Sequence, residues 1–122
     1  MIDHVGLEVR ELSVSKGFYV QALAPLGYRI FREGEEHVGF AGPGGFPDFW
    51  IGKRGDPGAG THVCFRAEDR ATVDAFHAAA LAAGGRDNGA PGLRPHYHER
   101  YYGAYVLDPD GNNVEAVCHA PA

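Results

Sequence analysis

An internal repeat is the feature that most constrains the fold of this chain. His4 begins the stretch HVGL and His62 begins HVCF, so the two histidines are 62 − 4 = 58 positions apart. Three further pairs keep this offset: Phe18 with Phe76, Leu23 with Leu81, and Gly27 with Gly85. Such self-similarity indicates two copies of one supersecondary unit. Because a unit of about 60 residues buries little surface alone, we expect the halves, or two chains, to share a core.

The first half has the pattern of one strand, one helix and three further strands. Apolar and polar residues alternate over 2–9, and this places His4 on the face opposite to Val5 and Leu7. Ser13 offers an N-cap for a helix of about three turns that ends before Pro25. Short apolar segments separated by Gly, Pro and charged residues then predict strands over 28–32, 37–41 and 48–52.

The second half repeats this order. A strand is predicted over 61–67 and an alanine-rich helix over 71–83, where Gly84 and Gly85 follow as a stop signal. The Gly- and Pro-rich segment 86–98 predicts only a short, irregular strand. Strands over 101–107 and 113–118 are joined by the turn sequence DPDG. The repeat therefore predicts one α+β domain over 1–122, with βαβββ modules at about 1–55 and 59–120.

Composition and charge exclude several classes of function. The net charge of −5 and the scattered basic residues give no cationic face for nucleic acid. No segment approaches the roughly 20 apolar residues that span a bilayer, and no basic stretch leads into an apolar run, so a cytoplasmic protein is expected. The glycines at 42–45 and 55–60 lack a following helix and lysine, which excludes a phosphate loop. Two cysteines, Cys64 and Cys118, are expected to be thiols.

Three residues from distant parts of the chain suit a metal centre. In the first strand of each half and in the last strand of the chain, every second residue is apolar. If these apolar residues pack on the helices, then His4, His62 and Glu115 point to the opposite, concave face. Two imidazoles and one carboxylate suit a divalent transition metal, and three protein ligands leave positions open for water or substrate. The alternative is that each histidine is only a hydrogen-bonded pocket residue and that Glu115 is a solvated charge.

The stretches HVGL, HVCF and LDPDGNNVEAV together resemble the vicinal oxygen chelate superfamily. This superfamily includes glyoxalase I, extradiol dioxygenases, fosfomycin-resistance thiol transferases and bleomycin-resistance proteins. The resemblance covers nearly the whole chain. It implies two βαβββ modules that form a curved, eight-stranded mixed sheet around a cavity, commonly in a homodimer. It also implies ligand positions on the first and last strands of each module, which here hold His4, His62 and Glu115.

The fourth ligand position departs from the glyoxalase pattern. Alternation in PDFWIG buries Phe49 and Ile51, so Trp50 faces the cavity in the place that Glu115 has in the other half. Tryptophan is not a metal ligand, and the set therefore resembles that of extradiol and fosfomycin-resistance enzymes. Trp50 is either a wall for substrate stacking or part of the core. Extradiol enzymes also carry a histidine on the strand that precedes the second histidine ligand, and this chain has none there.

Two further regions carry candidate catalytic residues. Tyr105 lies across the DPDG turn from Glu115 and resembles a tyrosine that lies beside the metal in extradiol and fosfomycin-resistance enzymes. In that place its hydroxyl would donate a hydrogen bond to an oxyanion bound to the metal. The alternative is a tyrosine that only fills the sheet surface. The loop RPHYHERYY offers His98 for proton transfer. Arg94, His96 and Tyr101 are its candidate substrate-binding residues. The alternative, above all for His96 and Tyr97, is a polar surface loop whose rings cover the edge of the module.

The leading hypothesis is a metal-dependent enzyme that chelates two oxygens of a small substrate and stabilises an oxyanion. Iron, manganese, nickel and zinc all suit mixed nitrogen and oxygen ligation. Dioxygenase, lyase, isomerase and thiol-transferase activities stay open, as does formation of the site within one chain or across two. The first alternative is a metal-free ligand-binding dimer like the bleomycin-resistance proteins, with aromatic walls that include Trp50, Tyr101, Tyr102 and Phe46. A structural module with a vestigial cavity is the second.

Overall fold

The computed structural model describes residues 2–53, 55–57 and 61–122. Two successive βαβββ units are present. The predicted start of the second module, at about residue 59, lies outside the described part, as does the end of the 55–60 glycine segment. The first unit contains β1 (Val5–Glu8), α1 (Leu12–Leu23), β2 (Arg29–Glu33), β3 (His37–Ala41) and β4 (Pro47–Gly52). The second contains β5 (His62–Arg66), α2 (Arg70–Ala82), β6 (Arg86–Leu93), β7 (Tyr102–Leu107) and β8 (Asn113–Cys118).

The eight strands form two four-stranded mixed sheets with the same strand order. The first sheet has the order β1-β4-β3-β2 and the second β5-β8-β7-β6. In each sheet the first and last strands of the unit are parallel neighbours, and the other pairs are antiparallel. The predicted α+β class and the two βαβββ modules are confirmed. Within one chain the strands remain two sheets, because no pairing joins β1 to β5 among the described residues.

The start of α1 differs from the prediction. The helix begins at Leu12 with Glu11 at the N-cap position and has no side-chain cap, so the predicted N-cap at Ser13 is wrong. The Arg10 N–H donates to Asp110 at 3.2 Å, and the Ser15 hydroxyl donates to the same carboxylate at 3.3 Å. Contacts to the other module therefore fix the start of this helix, and a local capping pattern does not show them.

The largest differences from the predicted strands are in β1 and β6. β1 begins at Val5, so His4 lies one residue before the strand. β6 has eight residues and is longer than its Gly- and Pro-rich sequence indicates. Its register against β7 shifts on both sides of Gly89, whose φ of +152° is open mainly to glycine. Irregular pairing therefore lets an unfavourable sequence complete the sheet.

One hydrophobic core joins the two modules. The Phe65 ring of the second module lies edge-on to Phe49 and Tyr28 of the first, with centroids 5.2 Å away in both cases. The helices pack against each other, and a Cβ on Gly85 would lie 2.7 Å from the Phe18 ring. The core-facing alternates are as predicted, since Leu7, Phe65, Val114 and Ala116 are buried. No helix in the described part of the chain is long and apolar enough to cross a membrane.

A buried polar contact also holds α1 to the β7–β8 turn. The Tyr19 hydroxyl donates to Asp108 at 2.5 Å, and both residues are almost fully buried. The same carboxylate accepts the backbone N–H groups of Asp110 and Asn112 and the Asn112 side-chain amide. Burial and the Asp108 charge raise the pKa of Tyr19, so its hydroxyl remains a donor. The DPDG segment therefore forms a turn and also holds the two modules together.

Candidate functional site

The second sheet presents a row of side chains on the face away from the helices. Register places Gly89, Tyr105, Glu115 and Cys64 opposite one another across β6, β7, β8 and β5. His62 lies two residues before Cys64 on the same face. Alternation along these strands is the reason that residues far apart in sequence lie together.

His62 and Glu115 form the centre of this row. His62 Nε2 lies 2.9 Å from Glu115 Oε1. The Glu115 side chain is 1% exposed, whereas the His62 side chain is 49% exposed. With the carboxylate as acceptor, the proton of this hydrogen bond lies on Nε2. The pair thus combines a buried carboxylate with an imidazole that is open to solvent.

Tyr101 completes the contacts of the Glu115 carboxylate. Its hydroxyl donates to Glu115 Oε2. Gly103 makes this approach possible, because a Cβ there would lie 3.2 Å from the Tyr101 ring and 3.3 Å from Glu115 Oε2. Sequence reasoning assigned Tyr101 to substrate binding and missed this contact. The alternating set of Tyr101, Gly103 and Tyr105 was a signal for it.

Burial and the charge of Glu115 keep the neighbouring acidic groups protonated. Burial, followed by the Glu115 charge, raises the pKa of Tyr105 to about 12. Burial and the hydrogen bond to Glu115 also raise the pKa of Tyr101. The same two influences, burial and Glu115, raise the pKa of the Cys64 thiol to about 12. At neutral pH the phenols are therefore hydrogen-bond donors, and Cys64 is a thiol with little nucleophilic character.

The loop over 94–101, here called the rim loop, holds His98 beside Tyr101. The Arg100 N–H donates to His98 Nδ1 at 3.1 Å, so the neutral ring carries its proton on Nε2. That nitrogen lies 2.7 Å from His119 Nδ1, and the two rings are stacked. Both rings contact the edge of Tyr101. His119 is therefore part of this group, although no signal in the sequence indicated it.

Other predicted residues of the rim loop lie farther from Glu115. His96 is exposed and its ring lies 4.2 Å from that of Tyr97. Arg94 is half-buried, and its guanidinium carbon lies 5.4 Å from the centre of the Tyr105 ring. Of the predicted binding residues in this loop, Arg94 and Tyr101 thus lie against the row, and His96 is exposed beside Tyr97.

The first sheet carries the equivalent positions with different residues. Gly6 pairs with Trp50 as Cys64 pairs with Glu115, and 64 − 58 = 6. Trp50 therefore occupies the position of Glu115, as the sequence predicts. Its ring covers Gly39, where a Cβ would lie 2.5 Å away. The first module offers an aromatic surface at the place where the second has a carboxylate.

His4 shares the surface of the first sheet and is separate from Glu115. Its side chain is 58% exposed, and Nδ1 lies 2.7 Å from Asp3. His4 and Trp50 line a cavity of about 460 Å³, and His4 also lines a cavity of about 910 Å³ that includes His62. Among the described residues, no group of three His, Cys, Asp or Glu side chains is close enough to hold a metal ion. One chain therefore brings together His62 and Glu115, and it leaves His4 apart.

The donor atoms of His62 and Glu115 fit two positions of a divalent-metal site. Two ligand atoms about 2.1 Å from one ion and at right angles are about 3.0 Å apart. The Nε2 to Oε1 distance of 2.9 Å is that of their hydrogen bond and also matches this value, so a metal ion would take the place of the Nε2 proton. Imidazole and carboxylate are also a donor set that iron, manganese, nickel and zinc accept. No third His, Cys, Asp or Glu side chain in the described part of the chain completes such a site beside this pair.

Comparison with known proteins places this geometry in a family. The profile of the Glyoxalase/Bleomycin resistance protein/Dioxygenase superfamily matches residues 1–116. A crystal structure of a glyoxalase/bleomycin resistance protein from Albidiferax ferrireducens T118 is 32% identical, with a TM-score of 0.82 and 98% of each chain covered. No curated protein gives a significant match.

A more distant structure shares the fold. Lactoylglutathione lyase from Agrobacterium tumefaciens is 22% identical, with a TM-score of 0.70, 97% of this chain covered and 92% of that chain. At this level of identity the likeness concerns the fold alone. The match over 1–116 and the 32% identity over nearly the whole chain decide the assignment. The chain belongs to the Glyoxalase/Bleomycin resistance protein/Dioxygenase superfamily.

Proposed function

We propose that this protein is a metal-dependent enzyme that acts on a small oxygen-rich substrate. The observation that carries the proposal is the His62–Glu115 pair, with donor atoms 2.9 Å apart beside two protonated phenols. A divalent ion held there would act as a Lewis acid that polarises the oxygens of a chelated substrate. The similar structures include a lactoylglutathione lyase, which is consistent with such chemistry.

The phenols would supply hydrogen bonds to a developing oxyanion. Tyr105 stands opposite Glu115 in the register, and the Tyr101 hydroxyl already donates to that carboxylate. Because both pKa values are raised, these hydroxyls keep their protons at neutral pH and act as donors rather than bases. Donors fixed in place before the reaction stabilise negative charge without reorganisation.

Proton exchange with solvent is the role we propose for His98. Its ring is exposed, lies 2.7 Å from His119 through Nε2, and contacts the edge of Tyr101. An imidazole titrates near neutral pH and can carry protons between solvent and the site. His98 does not face Glu115 directly, so its action would pass through Tyr101 or through a bound substrate.

We propose that a second copy of the chain supplies His4. In one chain His4 lies on the other sheet, and its side chain is largely exposed. The β1 and β5 edges remain unpaired with each other in the described residues. A symmetric pair would place His4 and Trp50 of one subunit over His62 and Glu115 of the other. Trp50 would then form an aromatic wall of the same site.

Mixing two variants tests whether the site spans two chains. His4→Ala and His62→Ala chains are each expected to bind little metal alone. After unfolding and refolding together in equal amounts, half of the dimers contain both variants, and one of their two sites has every ligand. About one quarter of the unaltered protein's metal content should therefore return. A site formed within one chain predicts no recovery, and that result would reject the shared site.

A metal-free ligand-binding dimer is the second candidate. Both Glu115 oxygens already have protein donors, which are His62 and Tyr101, and the first module presents Trp50 to a cavity of about 460 Å³. These observations suit a protein that encloses an aromatic ligand. Protein purified without chelator and lacking metal, together with tight binding of a large aromatic compound, would favour this function over the enzyme.

A further inference from the structure

The backbone of Arg94 is fixed at the edge of the row. Arg94 follows β6 directly, and its N–H donates to the Tyr101 carbonyl at 2.7 Å. The Tyr97 N–H donates back to the Arg94 carbonyl at 3.0 Å. The two ends of the rim loop are therefore joined at Arg94 and Tyr101. This places the Arg94 side chain above β7, next to the strand that carries Glu115.

The guanidinium of Arg94 is also held in one orientation. Nη2 donates to the Ala90 carbonyl at 2.9 Å, and the group lies over the Tyr105 ring. Glycines make room for it: a Cβ on Gly92 would lie 3.2 Å from Nη1, and one on Gly89 would lie 3.3 Å from Nη2. Stacking and one hydrogen bond reduce the side-chain entropy that binding a ligand would otherwise cost.

Among the residues that the structure describes, no carboxylate pairs with the positive charge of Arg94. The ion pairs of the described residues involve other groups, and none includes Arg94. A guanidinium has five N–H donors, and one contact to a neutral carbonyl leaves most of them available. The nearest face of the sheet is that of Tyr105, whose neighbour is Glu115. An oriented, unpaired cation thus stands one strand away from the candidate metal centre.

We infer that Arg94 binds a carboxylate of the substrate, so that the substrate class is small oxygen-rich carboxylic acids. The inference rests on the proposed function for the position of the reacting oxygens, which would face His62 and Glu115. The ring centroids of Tyr105 and His62 lie 6.4 Å apart, so a molecule of a few carbon atoms spans from one ring to the other. A single guanidinium matches the single charge of a carboxylate, whereas a phosphate dianion generally meets several cations.

A matched pair of probes separates charge from shape. Benzoate and benzamide have nearly the same size, and only benzoate is charged. Binding of each to chelator-treated, metal-free protein is followed by two-dimensional amide NMR, since a 13.1 kDa chain gives resolved spectra. Metal-free protein is used because a bound ion would attract benzoate by itself. Metal content is measured separately, so failure of the metal proposal and failure of this inference give different results.

Arg94→Gln is the test variant and Arg86→Gln is its control. Both remove one positive charge beside the same strand, but Arg86 is exposed at the start of β6. The unaltered protein should bind benzoate at least about fivefold more tightly than benzamide. Arg94→Gln should lower the affinity for benzoate about tenfold and change the affinity for benzamide by less than about twofold. Arg86→Gln should change neither.

Several results for the binding of benzoate and benzamide would overturn the inference. Equal affinity for the two probes, no measurable binding of benzoate, or a benzoate preference that survives Arg94→Gln would each reject an anion site at Arg94. A loss of preference in Arg86→Gln would indicate nonspecific attraction and would also reject it. Arg94→Lys guards against a folding defect: it keeps the charge, so some benzoate preference should remain even though the bidentate geometry is lost.

Discussion

Replacement of Asp108 by alanine is expected to lower the free energy of unfolding by about 3 to 5 kcal/mol. Asp108 is 2% exposed and accepts hydrogen bonds from Tyr19, Asp110 and Asn112. Removal of the carboxylate leaves several buried donors without an acceptor and opens a cavity between the modules. Urea denaturation of metal-free protein, followed by circular dichroism, measures the change.

A second tyrosine–aspartate pair provides the control for this prediction. The Tyr102 hydroxyl donates to Asp74 at 2.7 Å, as Tyr19 does to Asp108, but that pair is exposed. Tyr19→Phe should therefore cost about 1 to 3 kcal/mol, whereas Tyr102→Phe should stay within about 0.5 kcal/mol. A similar small effect in both variants, or a loss below about 1 kcal/mol for Asp108→Ala, would contradict the role of this segment in holding the two modules together.

Replacement of Glu115 by leucine is expected to separate metal binding from stability. Metal affinity should fall by at least about 100-fold, because one of the proposed ligands is lost. The free energy of unfolding of the metal-free protein should change by less than for Asp108→Ala, because the apolar residue removes the desolvation cost of a buried carboxylate and the two donors that lose their acceptor, on His62 and Tyr101, are partly exposed to solvent. Competition with a fluorescent chelator gives the affinity, and urea denaturation gives the stability.

Glu115→Gln is the companion variant, since glutamine keeps the shape and removes the charge. It should lose most of the metal affinity and keep hydrogen bonds to His62 and Tyr101. If Glu115→Leu unfolds the protein while Glu115→Gln retains full metal affinity, the carboxylate has a structural role and is not a ligand. Full retention of metal in both variants would show that Glu115 is not a metal ligand beside His62.

The repeat made most of the fold predictable from the sequence. The pairs at an offset of 58 residues reveal two similar units, and alternation along the strands predicts which residues face the helices. Local signals failed where distant contacts decide the structure. Ser13 has the chemistry of an N-cap, but contacts of Arg10 and Ser15 to Asp110 set the start of the helix. The glycines that argue against a strand in β6 are accommodated by its shifts in register.

The candidate site was predictable to the extent that strand alternation controls it. His62 and Glu115 lie on adjacent parallel strands, so their faces follow from the sequence, and the same reasoning places Trp50 opposite Gly6. The contact from Tyr101 to Glu115 depends on the path of the rim loop and on the space at Gly103. The role of Asp108 depends on Tyr19, which lies 89 residues earlier in the chain. No local pattern contains such contacts.

The position of His4 depends on how two modules, or two chains, meet. Its pattern is that of His62, and each begins a unit of the repeat. Only His62 has a carboxylate across the neighbouring strand, because Trp50 stands at the equivalent position of the first module. The sequence therefore predicts the ligand types, and the assembly decides which of them share one ion.

The metal content of purified protein tests the central proposal most directly. The protein is produced in cells grown with added iron and manganese and is purified without chelator. Inductively coupled plasma mass spectrometry should then find about one divalent ion per chain. His62→Ala should lose this ion. The control His77→Ala, which removes a histidine that is hydrogen-bonded to Asp87, should keep it. Unaltered protein without metal, or His62→Ala protein with the full amount, would contradict the proposal that His62 and Glu115 hold a catalytic ion.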